Sequence, residues 1–184
     1  MSDARPIVLE RDRHLKWRAF DVLELLLMVL CGIAIAGFSI SVALDIVTRT
    51  LGTPWLWLQE VTSAFFIYGS FFGLAVATRR ADHLMLSAIT EAMTGTTRFV
   101  VEVFNRTVIL ICGLCMVGFG WQNFLHGFVS FRMPSLTPLA WWYLAIPLSG
   151  VFVCLFVIEQ LVNGWRHGFP AREPEPETEE EFHI

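Results

Sequence analysis

Charge is scarce in this chain: 16% of its 184 residues are Asp, Glu, Lys or Arg, against 55% apolar residues. A typical soluble domain carries about 25% charged residues, so little material is left for one here. Cysteine is sparse too. Cys31, Cys112, Cys115 and Cys154 fall inside apolar runs, which excludes a secreted disulfide framework and leaves them as small polarizable hydrophobes. Cys112 and Cys115 have the spacing of a redox or metal pair and share a helix face. Such pairs work at water-accessible helix ends, whereas these sit about two turns inside a run. The histidines His14, His83, His126, His167 and His183 offer no facing imidazoles at matched depth for a heme. A glycine-rich phosphate loop, an HExxH motif and a nucleophile elbow are all missing, so enzymatic chemistry has no foothold. Nothing points to nucleic acid.

What the chain has in quantity is long apolar runs. Val22 to Leu44, Pro54 to Thr78, Thr107 to about Phe128 and Leu139 to about Gln160 each match the roughly 20 residues that cross a bilayer. The expected fold is an all-α integral membrane protein with four transmembrane helices. Its basic residues alternate. Arg5, Arg11, Arg13, Lys16 and Arg18 precede the first run; Arg79, Arg80, Arg98 and Arg106 separate the second and third; Arg166 and Arg172 follow the fourth. Arg49 and Arg132 alone lie in the other two connections. Retention of Lys and Arg on the cytoplasmic side then places both termini inside. Tryptophan agrees: Trp17 and Trp165 fall at inner ends, and Trp55, Trp57, Trp121, Trp141 and Trp142 at or near outer ends, as interfacial belts require.

Three regions follow: a basic arm over 1–20, a membrane domain over 21–166, and an acidic tail over 167–184. The first run is longer than the 7 to 15 residues of a signal core, so it reads as a permanent anchor. The tail holds Glu173, Glu175, Glu177, Glu179, Glu180 and Glu181 with prolines interleaved. It has no apolar face to bury and is expected to stay disordered in the cytoplasm.

Polar positions near the second run carry most of the information. Asp45 and Arg49 pair if the first helix continues past Leu44. Pro54 suits the first turn of the next helix, which puts Glu60 about 9 Å further along the axis, just inside the hydrocarbon edge. An acid there needs a partner or water. Pairing with Arg49 or with a basic group on another subunit is weighed against snorkelling to headgroup water. Gly69 and Gly73 form a GxxxG element that suggests a helix contact. His83 to Met93 has Met85, Leu86, Ile89, Ala92 and Met93 at helical spacing and is too short and polar to span, so a short amphipathic surface helix is expected between spans two and three. Glu102 and Arg106 make a favourable pair at the inner end of span three. Pro147 should kink the last helix or free a carbonyl.

Arg49 to Ile89 reads RTLGTPWLWLQEVTSAFFIYGSFFGLAVATRRADHLMLSAI. This stretch resembles the small membrane subunit, DctQ type, of tripartite ATP-independent periplasmic (TRAP) transporters. That family shows an Arg, a Trp shortly before paired acids, a Gly-Ala-rich helix, and an Arg followed by His at its inner end. Arg49, Trp57, Glu60, Gly73, Arg79 and His83 match these features, with Gly69 beside them; Gln59 departs, standing where the first of the paired acids usually is. Ser135 to Pro147, SLTPLAWWYLAIP, is similar to the family's entry into its last span. The resemblance covers roughly residues 20 to 165. It implies a small permease subunit in a bacterial inner membrane, with no cofactor bound by this chain. Its implied partners are a large multi-span permease subunit, which moves a solute, often an organic acid, on a sodium gradient, and a periplasmic solute-binding protein that captures it. The implied task is to brace the large subunit as part of its stationary scaffold. Two competitors stand beside this reading: a self-contained dimeric transporter using Glu60, and a membrane redox subunit.

Overall fold

The computed structural model describes residues 17–80, 96–133 and 135–167. With no water in a bilayer core, each spanning segment must satisfy its own backbone hydrogen bonds, and the apolar runs do so as helices. A single 3-10 turn, Arg18–Phe20, leads into α1 (Asp21–Thr50); α2 (Leu58–Arg80) and α3 (Thr96–His126) follow, then a short α4 (Ala140–Tyr143) and α5 (Ala145–His167). Four stretches, Asp21–Thr50, Leu58–Arg80, Phe99–His126 and Ala140–Arg166, are long and apolar enough to cross a membrane. The four-span expectation is met. The basic arm up to residue 16, the acidic tail from 168 and the surface helix expected from His83 to Met93 lie outside the described residues.

Two prolines shape helix boundaries, one against the sequence expectation and one in line with it. Pro54 does not open α2: residues 53–57 are non-helical and the helix starts at Leu58. Glu60 therefore lies in its first turn, where the positive end of the helix dipole favours an acid. Pro147 acts as expected. It lacks an N–H and its ring crowds the carbonyl four residues back, and the helix breaks at Leu144 into α4 and α5.

The order in space is α1, α2, α5, α3: α1 packs on α2, α2 on α5, and α5 on α3. No substantial packing joins α1 to α3 among the described residues, so the helices form an open row rather than a closed bundle. Half of the last span, α4 with α5, is buried, against 11% of the α3 span, and with the packing order this makes α2 and α5 the centre and α1 and α3 the edges. The core, Leu27, Phe72, Ala75, Val76, Val153, Phe156 and Val157, comes from α1, α2 and α5.

In lipid, apolar burial drives helices together weakly and close backbone approach matters more. The GxxxG element is used in this way inside the chain. A Cβ on Gly69 would stand 3.1 Å from the Cβ of Ala34 on α1, and one on Gly73 3.5 Å from the sulfur of Cys31. Closer approaches lie between α3 and α5, where a Cβ on Gly120 would meet Pro147 at 2.9 Å and one on Gly150 would meet the Gly113 carbonyl at 3.0 Å. Sequence inspection did not single these out, because the glycines are on different helices and share no local spacing.

Overpacking of a tight contact costs about 1–3 kcal/mol. Gly120→Ala and Gly150→Ala are therefore expected to lower the unfolding midpoint of the detergent-solubilised protein. Gly118, on the same helix as Gly120, has nothing within 4 Å of a built Cβ, so Gly118→Ala should leave the midpoint unchanged or raise it. Equal losses in all three would remove the seam as the explanation.

Candidate functional site: polar clusters at the two ends of the helix row

Acidic, basic and histidine side chains in the described residues gather at the two ends of the row, with an uncharged middle between them. The largest group surrounds Arg79, in the last turn of α2, where a cation complements the helix dipole. Its side chain is fully buried. Nε donates to Glu159 Oε2 at 3.2 Å; Nη1 donates to Glu24 Oε2 at 2.5 Å and to the Phe20 carbonyl at 2.9 Å. Nη2 donates to Asp21 Oδ1 at 2.9 Å, the Trp17 carbonyl at 3.1 Å and Glu159 Oε1 at 3.3 Å. The planar fork thus ties together the entry segment, α1, α2 and α5, which an ammonium on a flexible stem does not reproduce. The Phe156 ring lies under the guanidinium, 5.4 Å from ring centroid to Cζ.

Neighbouring groups complete the cluster. Arg80 Nε donates to Glu24 Oε1 at 3.0 Å, so Glu24 bridges both arginines. The Trp17 backbone N–H donates to Glu159 Oε1, and its indole N–H donates to Asn163 Oδ1 at 2.8 Å. Gln160 Nε2 donates to the Thr78 and Arg79 carbonyls at 2.9 and 3.1 Å, satisfying acceptors that the end of α2 would otherwise leave open. Of these residues, the sequence reading named Arg79 alone as a site. Glu24 and Glu159 lie inside apolar runs, where an acid is itself a signal of a buried partner.

At the opposite end, about 29 Å along α2 from Arg79, Glu60 is buried. Its expected partner Arg49 is elsewhere: Arg49 Nε donates to Asp45 Oδ2 at 2.9 Å, as their spacing predicts, on an exposed part of α1. Glu60 instead accepts the Ser135 backbone N–H at 3.2 Å and the Ser135 hydroxyl. Ser135 is carried there by a small hairpin, β1 (Phe131–Arg132) against β2 (Thr137–Pro138), with Leu136 in the left-handed region at φ 55°. The same hairpin directs Arg132 Nη2 to the Ser63 hydroxyl at 3.1 Å. Trp57 is exposed and stacks on Trp55 with centroids 5.9 Å apart. Glu102 and Arg106 form the expected pair on α3. Cys112 and Cys115 sit on an exposed face of α3. His83 lies outside the described residues.

Residues 38–167 match the model of the tripartite ATP-independent periplasmic transporters, DctQ component. The chain belongs to that family. It is a multi-pass membrane protein and a transporter component rather than an enzyme. Two named relatives agree. The sialic acid TRAP transporter small permease protein SiaQ of Vibrio cholerae is 22% identical over 127 residues, 65% of this chain and 73% of that protein. The sialic acid TRAP transporter permease protein SiaT of Haemophilus influenzae is 24% identical over 132 residues, 70% of this chain. The match spans 21% of the Haemophilus protein, so this chain corresponds to a fraction of it.

Breaking a buried ion pair by removing one partner costs about 3–5 kcal/mol. Arg79→Ala should therefore prevent stable expression or sharply lower the unfolding midpoint, with Arg79→Lys intermediate. Arg49→Ala, at an exposed pair, should cost less than about 1 kcal/mol. Similar midpoints for Arg79→Ala and Arg49→Ala would show that the cluster is not structural. Glu60→Ala leaves the Ser135 N–H without its acceptor, about 1–3 kcal/mol, and Glu60→Gln should recover most of that loss.

Proposed function

We propose that this chain is the small permease subunit of a TRAP-type secondary transporter in a bacterial inner membrane. It braces a large permease subunit during sodium-driven uptake of an organic acid delivered by a periplasmic binding protein. The observation that carries the auxiliary role is the uncharged middle of the row. Between Leu25 and Leu44, Val61 and Thr78, Thr107 and Leu125, and Ala145 and Ile158 there is no Asp, Glu, Lys, Arg or His. A secondary transporter site is built near mid-membrane from unwound helices and polar groups, whereas the break at Leu144 falls near one end of its span. Glu60, in the first turn of α2 and bonded to the hairpin, is badly placed to exchange a cation across the membrane, which counts against a self-contained transporter.

The open row supports the bracing role. An all-in-one bundle hides its helices from each other, while this arrangement leaves the broad faces of α1 and α3 available to a larger neighbour. The alternation of basic residues supports an orientation with both termini and the Arg79 end cytoplasmic.

Two experiments test this reading. Cysteine labelling in intact cells should leave Arg98→Cys unmodified by a membrane-impermeant reagent and modify Gly52→Cys; the reverse pattern overturns the orientation. Liposomes with an imposed sodium gradient should show uptake with both permease subunits and the binding protein, and none with this chain alone. Uptake by the isolated chain would move the solute path into it.

A further inference from the structure

At the end of the row opposite Arg79, a groove of about 380 Å³ opens between α1 and α2 and is lined by Phe38, Thr62, Ser63, Phe66, Ile67 and Arg132. Its chemistry changes along the helix axis. Thr62 and Ser63 sit one turn nearer the end of α2 than Phe66 and Ile67, a rise of about 6 Å, and the Phe38 ring packs on Phe66 with centroids 5.9 Å apart. The cationic, hydroxyl-bearing rim therefore faces the membrane surface and the apolar floor faces the hydrocarbon.

Arg132 is held in place at this rim. Nη2 donates to the Ser63 hydroxyl at 3.1 Å, and one face of the guanidinium lies over the Trp142 ring with 5.4 Å from Cζ to the centroid. Ser63 and Thr62 spend their own hydroxyl hydrogens on the Gln59 and Leu58 carbonyls, each at 2.8 Å. Ser63 is thus an acceptor that positions the arginine, and the guanidinium is the group left to meet an anion. Among the described residues no carboxylate lies within ion-pairing distance of Arg132, in contrast to Arg49, Arg79, Arg80 and Arg106. Of its five N–H donors, the one to Ser63 is accounted for. A guanidinium with spare parallel donors fits a phosphate in bidentate fashion.

We propose that this groove holds a membrane phospholipid, with its phosphate on the Arg132 guanidinium and an acyl chain running down over Phe66, Phe38 and Ile67. The charge complementarity is that of an amphiphile aligned with the bilayer: anion at the rim, hydrocarbon below. The pocket lies between α1 and α2 and beside the hairpin, so a bound lipid fills the edge of the row where Phe66 is otherwise exposed. The inference is independent of the transporter reading and of which side of the membrane this end faces.

The test uses the full-length chain purified in mild detergent, incubated with phosphatidylglycerol, and examined by native mass spectrometry. One retained phosphatidylglycerol per chain is expected. Arg132→Gln should reduce the retained fraction about tenfold, and Ile67→Trp, which fills the floor without touching the guanidinium, should reduce it as well. Circular dichroism and gel filtration confirm that each variant remains folded, and Arg132→Lys, with charge but no fork, should fall between wild type and Arg132→Gln. Equal retention by wild type and Arg132→Gln, or no retention by wild type, overturns the proposal. A photo-crosslinking amino acid at Phe66 in native membranes separates the occupants. A lipid-mass adduct supports the assignment, and a peptide adduct gives the groove to a protein neighbour and ends it.

Discussion

One guanidinium organises this protein. Arg79, on α2, is the place where the entry segment and three of the four spanning helices meet, and its hydrogen bonds reach side chains or carbonyls in the entry segment, α1 and α5. Helices in lipid gain little from hiding apolar surface on one another, so a row of four needs specific fasteners. The Arg79 cluster supplies one at one end, and the Glu60 to Ser135 contact supplies another at the other. Between them, contact is made by small residues and by single hydroxyls such as Ser149, which donates to the Phe71 carbonyl at 2.7 Å. A burial cost for three carboxylates and two arginines is accepted at the cluster because each charge finds an opposite one.

The number of spans, their order and most of their limits were legible in the sequence, because a bilayer imposes a length and a polarity that composition alone reports. The i,i+4 pairs Asp45 with Arg49 and Glu102 with Arg106 were legible for the same kind of reason: both partners sit on one helix at a fixed offset. What the sequence hid was everything that depends on which helix stands beside which. Arg79 and Glu159 are 80 positions apart, and Glu60 and Ser135 are 75 apart. No periodicity connects them. The start of α2 was misplaced because a proline compatible with a helix's first turn is equally at home in the loop before it.

The family pattern ran ahead of the physics at some positions and behind it at others. Arg49 and Trp57 belong to the pattern yet are exposed and hold little of the fold together. Glu24 and Glu159 hold much of it together and were not part of the features that suggested the family. A motif therefore mixes residues that fasten this chain with residues that stand exposed on it, and the geometry of the chain sorts one kind from the other.

The spatial order α1, α2, α5, α3 departs from the order of synthesis. A ribosome delivers α3 to the membrane before α5, the helix it packs against, exists. The first two helices have each other to pack on once both are made, whereas α3 gains its packing partner only when the last helix is made. The most buried span is thus the last to be made, and Glu159, the carboxylate that meets Arg79 from α5, comes with it.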